Sequence, residues 1–81
     1  METLYVVATP IGNLEDVTLR AIRVLREVEL VLAEDTRRTR TLLTRHDIRT
    51  RPRSLHSRNE AQRLREVLEA MAGGSSVALV S

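Results

Sequence analysis

The stretch VVATPIGNLEDVTLRA, residues 6–21, decides how the chain reads. It begins inside a continuous apolar run, residues 4–8, whose valines predict a strand buried on both faces of a parallel sheet. Residues 9–13 break that run. Pro10 has no amide donor and Gly12 admits backbone conformations closed to other residues, so a loop is predicted there. From Asp16 a helical period sets in, with Val17, Ala21, Val24, Leu25 and Val28 on one stripe and Arg20, Arg23 and Glu27 on the other. Asp16 is the expected N-cap, and Arg23 and Glu27 are spaced to pair across one turn. Strand, glycine loop, helix is how many α/β proteins hold a small anionic or nucleotide-like ligand. No G-x-G-x-x-G follows, so the loop lacks the dinucleotide fingerprint.

Outward from that stretch the pattern repeats. Residues 30–33 are a second apolar run, stopped by Glu34 and Asp35, and residues 36–46 read as a helix anchored by Leu42 and Leu43 and capped by Asp35 or Thr36. Pro52 forces a break, and residues 53–56 are a short third strand. Residues 59–72 form a third helix, with Ala61, Leu64, Leu68 and Met71 predicted to face the core and Val67 widening the stripe. Asn59 with Gln62 resembles a capping box, as does Ser57 with Glu60. Gly73 and Gly74 end the helix, and residues 77–80 are a fourth strand.

The order β-α-β-α-β-α-β predicts an α/β fold with a mostly parallel sheet and crossover helices. In such sheets ligands bind at the carboxyl ends of the strands. The loop of residues 10–13, the pair Glu34 and Asp35, and His56 all fall on that rim. A loop after the fourth strand would complete it, so residues 1–81 are expected to be a partial N-terminal α/β domain of a longer protein.

Composition narrows the function. Eighty-one residues suffice for one small domain or a piece of a larger one. No apolar run approaches the roughly 20 residues that span a bilayer, and no basic flank precedes a signal-like segment. With no cysteine, disulfides and thiolate metal sites are excluded, and no metal is expected. These features favour the cytoplasm and no membrane partner. All thirteen basic residues are arginine. Residues 1–36 carry a net charge of −4, residues 37–58 carry +7, and residues 59–81 carry −1. One arginine block in mid-chain suits the salt-dependent grip on a phosphate backbone, although a solvated face would look the same.

The segments LYVVATPIGNLEDVTLRAIRVL, VLAEDTRRTRTLL and SLHSRNE, in that order, resemble the bacterial small-subunit rRNA cytidine 2′-O-methyltransferases, within the tetrapyrrole methylase superfamily. The resemblance covers nearly the whole chain. Relatives that methylate porphyrin-like rings carry a Gly-Pro-Gly-Asp type loop where Pro10, Ile11, Gly12 and Asn13 stand here, and this departure separates the two branches. The resemblance implies that these four residues border S-adenosylmethionine. It also implies a second α/β domain absent from this chain, a homodimer, and methyl transfer to a cytidine ribose 2′-hydroxyl in small-subunit rRNA.

Such a reaction needs a group to handle the hydroxyl proton and cations to seat the RNA. Glu34 and Asp35 are the catalytic candidates, being acids on the rim; a capping role for Asp35 would explain it equally well. Arg37, Arg38 and Arg40 are the RNA-binding candidates, because arginine near a helix N-terminus opposes the macrodipole and gains nothing locally. His56 is either a proton carrier or structural. Two other functions stay open: methylation of a porphyrin or corrin precursor, and a non-enzymatic RNA-binding α/β module.

Overall fold

Three short apolar runs and the polar pair Arg53–Ser54 become parallel strands. The computed structural model describes residues 2–10 and 12–81, with β1 (Leu4–Val7), β2 (Leu30–Ala33), β3 (Arg53–Ser54) and β4 (Val77–Val80). Between them lie a 3-10 turn (Leu14–Asp16) and helices α1 (Leu19–Glu27), α2 (Thr36–Arg45) and α3 (Glu60–Ala72). The sheet order is β1-β4-β2-β3. Leu4 and Leu30 both stand opposite Val77, and Val7 and Ala33 both stand opposite Val80, so β4 pairs with both neighbours over its full length. The predicted fold class and element order hold.

Paired residues in parallel strands share a face. Val7, Val31, Ala33, Ala78 and Val80 therefore form one side, packed with Ala21, Val24, Leu25 and Val28 of the α1 segment and Leu42 and Leu43 of α2. Leu32 and Val77 form the other side, where Val67 of α3 covers them with help from Leu30, Ala70, Met71 and Leu79. Two helices on one face and one on the other is what right-handed crossovers require when the chain runs β1, β2, β3 in one direction and then doubles back to insert β4.

Several local expectations are corrected. β1 is an edge strand and is not buried on both faces: Val6 is 72% exposed and Leu4 44% exposed, on the side where α3 covers only the β2–β4 part of the sheet. Asp16 does not cap α1. It ends the 3-10 turn, and the cap is Thr18, whose hydroxyl accepts from the Ala21 amide at 3.0 Å. Arg23 and Glu27 form no pair; the ion pairs among the described residues join Arg53 and Arg63 to Glu66.

The third helix forms where expected, but its inward face is narrower than predicted and shifted toward Val67. Val67 is buried, with Ala70 and Met71 partly so, whereas Ala61, Leu64 and Leu68 are exposed. Neither capping box forms. The Asn59 side chain instead accepts from the His56 amide at 2.9 Å and donates to the carbonyl and hydroxyl of Ser54, closing the turn between β3 and α3. The helix does end at the glycines: the Gly73 amide donates to Glu69 and the Gly74 amide to Met71, with Gly74 at φ +92°.

The cap reassignment has a direct test. Replacing an N-cap threonine by alanine removes the acceptor for an otherwise unpaired helix amide. Thr18→Ala should lower unfolding free energy by about 1 kcal/mol in urea titrations, while Asp16→Ala, on an exposed turn, should change it by less than about 0.5 kcal/mol.

Candidate active site

The carboxyl ends of β1, β2, β3 and β4 deliver residues 8–10 and 12–13, 34–35, 55–56 and 81 to one rim. The rim is closed from within the sheet. The Ser81 amide donates to Val7, and its carbonyl accepts from both the amide and the hydroxyl of Thr9, at 3.0 and 2.6 Å. A cavity of about 530 Å³ opens beside this clamp, lined by Thr9, Pro10, Glu34, Asp35, Arg38 and Ser81 among others. A second cavity of about 480 Å³ is lined by Glu34, Leu55, His56, Ser57 and Glu60. It lies where the loop after β2 leads to a helix on one face and the loop after β3 leads to a helix on the other, the crevice position favoured for ligands in open α/β sheets.

Of the four residues expected at the donor loop, Pro10, Gly12 and Asn13 are described and Ile11 lies outside the described residues. Gly12 has φ +92°, a conformation that L side chains rarely adopt, and a Cβ built there would meet no atom within 4 Å. Glycine is therefore required by the backbone and not by crowding, and open space lies beside it. The Asn13 side chain accepts from the Glu15 amide at 2.9 Å and starts the 3-10 turn.

The two acids differ. Asp35 caps α2, its carboxylate accepting from the Arg38 amide at 2.9 Å. Glu34 is exposed, makes no hydrogen bond or ion pair among the described residues, and lines both cavities. His56 is exposed in the second cavity, and its Nδ1 accepts from the Arg58 amide at 3.1 Å, which puts the proton of the neutral ring on Nε2.

The three arginines also separate. Arg37 and Arg40 are exposed on α2, without a side-chain partner among the described residues. Arg38 turns to the loop and donates from Nη2 to the carbonyls of Pro10 and Gly12, the latter at 3.3 Å. This tether was not anticipated from the sequence. A signal for it was present: an arginine in the first turn of a helix is disfavoured by the macrodipole and needs acceptors from elsewhere. The loop carbonyls are those acceptors.

The family model for tetrapyrrole (corrin/porphyrin) methylases matches residues 3–81. The chain belongs to this family. Within the tetrapyrrole methylases it is 51% identical, over 81 residues, to a protein of Thermotoga maritima named ribosomal RNA small subunit methyltransferase I, covering 100% of this chain and 36% of that one. It is also 51% identical over 79 residues to a protein of the same name from Halalkalibacterium halodurans, covering 98% of this chain and 27% of the relative. A relative from Mesorhizobium japonicum with that name is 49% identical over 78 residues. The chain thus spans about a quarter to a third of the length of the curated relatives it matches. The fold matches the crystal structure of a cobalamin synthesis related protein from Corynebacterium diphtheriae, with a TM-score of 0.64 at 24% identity, over 100% of this chain and 40% of that one.

The Arg38 tether predicts a local effect. Arg38→Ala removes two charge-assisted bonds at a partly exposed site and should loosen the loop by about 1 kcal/mol, or roughly fivefold faster amide exchange at residues 12–17. Arg37→Ala should leave exchange there unchanged.

Proposed function

We propose that the chain is the N-terminal part of a longer, dimeric, cytoplasmic S-adenosylmethionine-dependent methyltransferase. Its substrate is the ribose 2′-hydroxyl of a cytidine in small-subunit rRNA. The observation that carries this reading is Glu34, an unpartnered carboxylate shared by two adjoining rim cavities, one bounded by the glycine loop and one by His56. The names of the relatives support the rRNA substrate.

The loop fits a nucleoside donor without phosphates. A cavity of about 530 Å³ is ample for such a ligand, with Thr9 and Pro10 as its loop wall, and Gly12, outside that lining, has open space beside its backbone. Thr9, Pro10, Gly12 and Asn13 would hold the donor, with Ile11 completing the loop sequence. S-adenosylmethionine supplies a methyl group already activated on sulfonium, so no metal is needed.

What remains for the protein is placement and proton transfer. Glu34 accepts the proton of the 2′-hydroxyl, with Asp35 held in its capping bond as the neighbour that keeps α2 and the rim together. Arg37 and Arg40 pair with phosphates flanking the target, and Arg38 keeps the loop in shape.

The test compares two isosteric variants of the full-length protein in single-turnover transfer of labelled methyl groups to small ribosomal subunits. Glu34→Gln should slow transfer by roughly two to four powers of ten with subunit binding intact. Asp35→Asn should act mainly on stability, because it weakens a cap. Undiminished transfer by Glu34→Gln would place the base elsewhere. Gly12→Val should raise the donor's dissociation constant; melting that collapses while donor affinity stays normal would make the loop purely structural.

A further inference from the structure

Away from the rim, the structure holds a larger concavity, of about 710 Å³, between the C-terminal half of α2 and the connection that leads to β3. Arg40, Arg49 and Arg51 line it, and Ile48 and the buried Pro52 give it an apolar floor. We propose that this concavity is a second RNA contact, which seats the phosphodiester backbone of a single-stranded segment outside the reacting nucleotide. It rests on the rRNA reading given above.

Three observations point there. The first is the division of the arginine block. Arg38 is bonded to the loop and Arg53 to Glu66, but the side chains of Arg40, Arg49 and Arg51 have no hydrogen-bond or ion-pair partner among the described residues. Second, these three converge on one concave surface where Asp47 is the only acid among the described lining residues, leaving a net charge of +2. Like charges gathered in a hollow repel one another and focus the field, an arrangement favourable once an anion enters. A solvated face would spread them apart. The third is continuity. Arg37 and Arg40 lie three residues apart and share a face of α2, so these two carry positive charge from the rim, where α2 starts, to the hollow. A polyanion lying along that face would reach both.

Arginine forks suit phosphate, and the apolar floor suits a ribose or an unstacked base, which favours RNA over an acidic protein. The experiment uses the full-length protein, a single-stranded twelve-residue oligoribonucleotide and a titration across salt. Arg49→Ala/Arg51→Ala should weaken binding about tenfold at low salt and make the slope of log affinity against log salt shallower by about 1.4. Arg23→Ala/Arg26→Ala removes the same charge from exposed positions on α1 and should alter affinity less than twofold. An unchanged slope in the Arg49/Arg51 variant overturns the proposal, as does an equal loss in the Arg23/Arg26 variant, which would make the attraction diffuse. Polyglutamate competing as well as the oligoribonucleotide would overturn it in favour of an acidic partner. Methyl transfer to small subunits by the unaltered protein is measured in parallel. Transfer together with an unchanged salt slope defeats this site alone, and no transfer with a slope that depends on Arg49 and Arg51 defeats the rRNA methylation reading alone.

Discussion

Everything on the rim depends on β4 lying between β1 and β2. A strand of four residues is marginal by itself, and its amides and carbonyls can be buried only if both edges are paired. β4 meets that condition for itself and completes β2, whose other edge takes β3. It also joins β1 to the rest of the sheet, since β1 has no other strand neighbour among the described residues. Val77 and Ala78 are fully buried as a result. The same ladder extends past the strand ends at both poles. The Thr3 amide is bonded to the Ser76 hydroxyl and the Val77 amide to the Thr3 carbonyl at one end, and Thr9 and Ser81 are locked together at the other. The cavity beside the glycine loop is therefore shaped by residues 72 positions apart in sequence.

The elements were largely legible because three of the four strands are apolar runs with abrupt ends, and the short polar β3 follows a proline. Glu34 and Asp35 stop β2, Pro52 precedes β3, and Gly73 and Gly74 precede β4. What could not be read was strand order, and two errors follow from it. β1 has the composition of a buried strand, yet its place at the edge leaves Val6 in the open. In α3 the apolar stripe is wider than the sheet beneath it: Val67 and Met71 are covered as expected, with Ala70 beside them, while Ala61, Leu64 and Leu68 stay exposed. The α1 cap was misplaced at Asp16, two residues before Thr18, because the 3-10 turn that absorbs Asp16 is set by Asn13, which the pattern did not reveal.

The candidate site was legible as a place more than as a set of roles. The rim follows from topology, so the glycine loop, Glu34, Asp35 and His56 could be assigned to it from element order alone. Their differences come from hydrogen bonds that cross between elements. Asp35 is committed to a helix amide and Glu34 is not, although the two are adjacent and chemically alike. The arginine block looked uniform for the same reason. In the folded chain it divides into a tether, an ion pair centred on Glu66, and a free set, and only geometry tells these apart.

Helical spacing explains how one short helix can serve both the loop and the solvent. Successive residues are about 100° apart around the axis, so Arg37 and Arg40 fall near one another while Arg38 is rotated away from Arg37 by a quarter turn or more. That rotation is what lets Arg38 reach the carbonyls of Pro10 and Gly12 while its neighbours stay free. The buried Thr39, Leu42 and Leu43 fix which way the helix faces, and the Asp35 cap holds its first turn through the Arg38 amide. The carboxylate of Asp35 thus bears on the loop at one remove, through the residue whose side chain reaches the loop carbonyls.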